Sequence, residues 1–187
     1  MPTFKITTLS GSLRSASYST AVLQSLPGLM PSDVDVEIRP LLIGELPHYN
    51  QDVDTPQKLP AAVAQARSQV SASDLVVIVT PEFNHGIPGV LKNTLDWLSR
   101  PAFSSCMVDK TVLFMTQSPG ALGGVRAQYQ LRETLASMLC RLPAMPEIVI
   151  THATSKMQDG HLTEVATRDF IARIVRGLLP EMQPVSR

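Results

Sequence analysis

Residues 10–19 read SGSLRSASYS, with five serines, one glycine and one arginine directly after the apolar run FKITTL. Hydroxyls and a guanidinium gathered there suit an anion if a helix starts within the stretch. The first turn of a helix offers free amides and the positive end of its dipole. Arg14 adds a fixed charge with a forked donor geometry. Such a cup matches a terminal phosphate monoester, which carries about 1.5 to 2 negative charges near neutral pH. The same residues also describe a solvated turn in which Ser17 or Ser19 is an ordinary N-cap. The stretch is neither a P-loop, since GxxxxGK[ST] is absent, nor a dinucleotide fingerprint, since Gly11 stands alone.

Two other stretches have the same character. TPEFNHGIPGVLKNTLDW, residues 80–97, places two prolines and two glycines after the most apolar run of the chain. Such a loop is held in shape, and its backbone can pass close to a flat ligand. Glu82 and Asn84 are polar where the chain leaves that run, and local turn hydrogen bonding is the competing reading. TQSPGALGGVRAQ, residues 116–128, carries Gly120, Gly123 and Gly124 ahead of a long helical pattern. Glycines there allow close backbone approach to a ring system, or simply make a flexible loop. Arg126, Tyr129 and Arg132 are spaced to share one helix side, which also fits a solvated face. Val90, Leu91, Leu95 and Leu98 read as core, and Trp97 as core or a subunit contact.

The elements that must position these loops follow from periodicity. Strands are expected over 4–9, 34–39, 75–80, 111–116 and 147–151. Helices are expected over 19–26, 57–73 with Pro56 at its start, 88–99, 124–141 as the longest, and 163–178. LVVIVT, almost wholly apolar and β-branched, suits a central parallel strand covered on both faces. Strict βα alternation implies an α/β three-layer sandwich, with a flavodoxin-like five-stranded parallel sheet in the order 2-1-3-4-5. Ligands of such sheets bind beyond the carboxyl ends of the strands at the switch point, between strands one and three. The three loops leave the sheet there. Asp159-Gly160 marks a turn before the last helix.

Composition excludes several classes. The chain has 187 residues, 44% hydrophobic, with a formal net charge of zero. That fits one domain over 1–187 with a substantial core. No basic surplus points to nucleic acid. No apolar stretch approaches the ~18 residues of a spanning helix, and no signal-peptide pattern opens the chain. The cytoplasm is the expected compartment, without membrane insertion. His48, His85, His152 and His161 show no metal-ligand spacing, and Cys106 and Cys140 read as plain thiols. No metal site is expected.

LSGSLRSASYS, TPEFNHGIPGVLKNTLDW and SPGALGGVRAQYQLR together resemble the NADPH-dependent FMN reductase family, within its quinone and chromate reductase group. The resemblance runs over at least residues 4–147, with the motifs in family order. It implies bound FMN as cofactor and NADPH or NADH as hydride donor. It places the phosphate at Ser10, Ser12, Arg14, Ser17 and Ser19. Ser19 stands where asparagine is frequent in the family. Pro81, Glu82, Phe83 and Asn84 would run beside the ribityl chain and ring, with His85 and Gly86 nearby. Phe83 replaces a common tyrosine and so lacks its hydroxyl. Ser118, Gly120, Gly123 and Gly124 would border the ring, with Gln117 a weaker candidate. The implied activity moves hydride from NAD(P)H through FMN to quinones or other acceptors (chromate, azo dyes, nitroaromatics) at one shared face, hence ping-pong. No side chain is expected as a catalytic acid or base. A homodimer or homotetramer is implied, with contacts in 42–54, on the Trp97 helix and along 126–132. An electron carrier without its own hydride donor, or a non-catalytic binding module, are the competing readings on the same fold.

Overall fold

A computed structural model describes residues 3–179. Five strands form one parallel sheet in the order β2-β1-β3-β4-β5. They are β1 (Phe4–Ser10), β2 (Val36–Pro40), β3 (Leu75–Pro81), β4 (Thr111–Gln117) and β5 (Ile148–Ile150). Every residue of β3 and β4 is buried, as apolar strands covered on both faces require. Register places Leu9, Ile78 and Phe114 side by side across the three central strands. The expected flavodoxin-like order is therefore the observed one.

Two helical layers cover the sheet. Val76 and Ile78 of β3 pack with α2 (Ala61–Ser71), α3 (Gly89–Leu98) and α4 (Val125–Ser137). Leu75, Val77 and Val79, pointing the other way, pack with α1 (Tyr18–Ser25) and α6 (Val165–Leu178). Trp97 is 0% exposed, and its indole Nε1 donates to the Pro47 carbonyl at 2.7 Å. It belongs to the core and is not available as a subunit contact.

The boundaries differ from expectation for local reasons. α2 starts at Ala61, not near Pro56. Pro60 has no amide to donate and pushes Leu59 out of helical geometry. Residues before it close a separate turn, with the Lys58 and Leu59 amides donating to the Thr55 carbonyl at 3.1 and 2.9 Å. α4 stops at Ser137, because Leu139 takes a left-handed φ of 60°. At 13 residues it is one shorter than α6. Between β5 and α6 the chain adds the short helix α5 (Ala153–Lys156) and a hairpin of β6 (Met157–Gln158) and β7 (His161–Leu162). Asp159 and Gly160 form its turn with φ values of 51° and 77°. The hairpin docks on α1 through the Leu162 amide, which donates to Ser25 Oγ at 2.8 Å. Among the described residues, no helix is long and apolar enough to cross a membrane.

Candidate functional site

The first loop leaves β1 at Ser10 and lies against β3. The Gly11 amide donates to the Val79 carbonyl at 2.8 Å, and a Cβ at Gly11 would collide with the Thr80 side chain. Only glycine allows that approach. Ser17 is the N-cap of α1, yet its hydroxyl bonds no helix amide, and the first turn holds no acidic residue. At 3% exposure, Ser17 is almost wholly buried. The positive end of α1 thus has no counter-charge supplied by its own first turn. Arg14 is exposed, with its guanidinium carbon 5.2 Å from the Tyr18 ring centroid. The Tyr18 hydroxyl bonds Thr154 Oγ1 at 3.0 Å, which ties this corner to α5.

Ser10, Ser12 and Ser19 make bonds within the protein, while Ser15 is exposed. Ser10 Oγ bonds Thr20 Oγ1 at 3.0 Å and the Ser12 carbonyl at 3.2 Å. Ser12 Oγ accepts from the Arg14 amide at 3.3 Å. Ser19 is 0% exposed and accepts from Gln117 Nε2 at 3.0 Å. Ser12 and Ser19 only accept in these bonds, so their hydroxyl hydrogens, like Ser17 and Arg14, are uncommitted.

In the second loop, Glu82 serves α4. Its Oε2 accepts from the Arg126 and Ala127 amides at 2.9 and 3.2 Å, and its Oε1 lies 3.5 Å from Arg126 Nη1. The carboxylate therefore neutralises the helix end that would otherwise compete with α1 for an anion. Phe83 and Gly86 exchange backbone bonds of 2.9 and 3.0 Å around a two-residue turn. Asn84 and His85 occupy it with φ values of 49° and 66°. Phe83, Asn84 and His85 are exposed, whereas Pro81 is buried at the end of β3. Gln130 Oε1 accepts from the Ile87 amide at 2.6 Å, so α4 also grips the far side of the turn.

The third loop is clamped to β5 and the segment after it. The Ser118 amide donates to the Ile150 carbonyl at 3.0 Å, and the Gly120 carbonyl accepts from the His152 amide at 3.1 Å. Ser118 Oγ accepts from the Gly120 amide at 3.1 Å. Gly123 and Gly124 have φ values of 59° and 88°. A Cβ at Gly123 would strike Val149, and one at Gly124 would lie 3.1 Å from Thr116 Cβ. Their first reason for being glycine is thus packing within the protein. Thr116 Oγ1, Gln117 Oε1 and Gln128 Oε1 are buried here without a hydrogen-bond partner.

Sequence reasoning missed Gln128, Gln130, Tyr18 and Thr154. Gln128 had a signal, since it falls in the buried row of α4 with Leu131 and Leu135. The partnerships of Gln130 and of Tyr18 with Thr154 join residues 43 and 136 positions apart, which no local pattern announces. Among the described residues, no group of three His, Cys, Asp or Glu side chains gathers as a metal site.

The residues present fit the FMN implied by the resemblance. The start of α1 has an N-cap serine without a cap bond, no acidic residue in its first turn, and Arg14 against Tyr18 beside it. Buried polar atoms without partners lie one strand away at the β4–α4 junction. The sequence pattern of the NADPH-dependent FMN reductase family matches residues 4–155. A quinone reductase of Escherichia coli K12 is 37% identical over 169 residues, covering 89% of each chain. An NAD(P)H-dependent FMN reductase of Pseudomonas aeruginosa is 37% identical over 175 residues, covering 93% of this chain and 92% of that one. In three dimensions the chain is similar to the flavoenzyme NAD(P)H:(acceptor) oxidoreductase FerB of Paracoccus denitrificans. That likeness has a TM-score of 0.83 at 31% identity, over 95% of this chain and 96% of the other. Sheet order, loop placement and sequence likeness over nearly the whole length lead to one assignment: the chain belongs to the NADPH-dependent FMN reductase family.

Proposed function

We propose that this chain, acting as one domain, is an FMN-containing NAD(P)H oxidoreductase whose acceptors are quinones or similar small electron acceptors, chromate and azo compounds included. The observation that carries the reading is the contrast between two helix ends. α4 has its amides answered by Glu82, while α1 has an N-cap serine without a cap bond and Arg14 beside it. A phosphate goes to the unanswered end. Bound FMN supplies the hydride chemistry, accepting from the nicotinamide and giving to the acceptor.

The chain's own residues bind, orient and shield. Ser17, Arg14 and the first amides of α1 hold the phosphate. Ser10, Ser12 and Ser19 join them at the phosphate, Ser12 and Ser19 through hydroxyl hydrogens that their internal bonds leave uncommitted. Pro81, Glu82, Phe83 and Asn84 border the ribityl chain and ring, with Glu82 fixing the second loop against the third. Ser118, Gly120, Gly123 and Gly124 form the opposite border. One exposed face for both substrates gives alternating, ping-pong binding. We place the protein in the cytoplasm as a homodimer or homotetramer. Tyr129 at 56% exposure and Phe103 at 84% are apolar surface available to a second copy.

The test is the visible spectrum of purified protein under anaerobic conditions. Flavin bands that NADPH bleaches and benzoquinone restores support the reading. Bands that NADPH leaves unchanged move the assignment to an electron carrier. Absence of flavin after incubation with FMN moves it to a binding module.

A further inference from the structure

A cleft of about 530 Å³ opens on the β2 side of β1, behind the first loop. That size lies within the range of roughly 300–1,000 Å³ seen for small-molecule sites. Its wall is mostly apolar, with Leu23 from α1, Ile38 from β2, and Leu42 and Ile43 from the segment after β2. Leu13 and Leu42 line it while remaining 63% and 62% exposed. Large leucines left in water at the edge of a cleft favour an apolar occupant.

Thr8 gives the cleft a polar point. It lines the wall, is only 4% exposed, and its hydroxyl has no hydrogen-bond partner in the protein. The neighbouring hydroxyls of Ser10 and Thr20 are satisfied by each other at 3.0 Å. That hydroxyl is not sealed from solvent, so a ligand in the cleft able to bond it takes the place of water there. Charge narrows the choice further. Glu45 is the sole ionisable side chain on the wall, and no cation accompanies it. An anion, the phosphate of FMN included, finds nothing to pair with here.

We propose that this cleft is a second small-molecule site, behind the first loop, whose Ser10 and Ser12 also line it. Its ligand class is a neutral, largely apolar ring compound carrying one hydroxyl or carbonyl that meets Thr8. The inference stands on the cleft alone and does not require the flavin reading.

Equilibrium dialysis of FMN-loaded protein with 2-naphthol, and with naphthalene as its matched hydrocarbon, tests it. If the protein takes up no FMN, the flavin reading fails while the same dialysis on the protein as purified still decides this one. The wild type binds both probes at one per chain, and excess FMN displaces neither. Thr8→Val, which keeps shape and removes the hydroxyl, weakens 2-naphthol by about 3- to 10-fold and leaves naphthalene within about twofold. Ile38→Trp fills the cleft and abolishes both. Leu42→Trp, at an exposed position, does the same should Ile38→Trp fail to fold. The proposal is overturned by absence of saturable binding, by displacement with FMN, by equal effects of Thr8→Val on the two probes, or by full binding in the Trp variant.

Discussion

The two ends of the sheet treat their polar groups in opposite ways. At the amino end, buried groups are answered. Asp74 accepts from the Lys5 amide at 2.8 Å, and its own amide donates to the Lys5 carbonyl at 2.8 Å. The Lys110 ammonium, 9% exposed, donates to the Ser71 carbonyl at 3.2 Å and to that of Ser73. At the carboxyl end lie Thr116 Oγ1, Gln117 Oε1 and Gln128 Oε1, buried without partners, and the unused cap of α1. Satisfied polar groups hold a fold together. Unsatisfied ones store a cost that a ligand can relieve, which supports the flavin site proposed there. The amino end is built for stability and the carboxyl end for occupancy.

That contrast can be broken by substitution. With Arg14 holding the phosphate as we propose, Arg14→Ala removes a charge-assisted contact of about 1.5–3 kcal/mol and weakens FMN by roughly 10- to 150-fold without changing the melting temperature of the FMN-free protein. Fluorescence titration and a thermal melt read the two quantities separately. Asp74→Ala does the reverse. It leaves the Lys5 amide without its side-chain acceptor and costs about 1–3 kcal/mol in urea unfolding, with FMN affinity intact in the folded fraction. A loss of FMN affinity equal to that of Arg14→Ala would dissolve the distinction between the ends. Thr116→Val replaces an unpartnered hydroxyl with a methyl of the same shape. It raises the stability of the FMN-free protein by about 1 kcal/mol and erodes the gain that FMN adds.

A pH-dependent effect concerns the thiols near the amino end. Burial pushes Cys106 up to about 11 and Cys140 up to about 12, from an ordinary value of 9.0. Neither thiolate forms at pH 8, so thiol reagents label the folded protein slowly and the urea-unfolded protein fast. The sign of the linkage follows. The unfolded chain ionises its thiols near 9 while the folded chain keeps them protonated. Their contribution to stability is therefore full below pH 9 and lost as pH rises to about 11–12. Lys110 acts in the opposite direction, since burial lowers its pKa below 10.5 and its share of stability grows toward that pH. Replacing both cysteines by alanine flattens the alkaline decline in a pH series of urea melts.

The five strands of the sheet, their alternation with the larger helices and the ends from which the three loops leave were readable along the chain, whereas the β6–β7 hairpin was not. A run such as LVVIVT is long, β-branched and apolar on both sides, and burial on two faces leaves it one role. Serines and an arginine after the first strand are readable as an anion-binding candidate because their chemistry is local. The tertiary structure alone decided what each polar residue does. Glu82 reads as a loop carboxylate, yet it is the cap of a helix that starts 43 positions later, at Val125. Gly123 reads as room for a ring, yet β5 fills that room first. Ser19 reads as a phosphate donor, and the fold also makes it the acceptor for Gln117 across 98 positions. The reason is one of range. Hydrophobic periodicity is a property of neighbours along the chain. A hydrogen bond is short and directional, so its partner is settled only when the fold brings distant residues within about 3 Å.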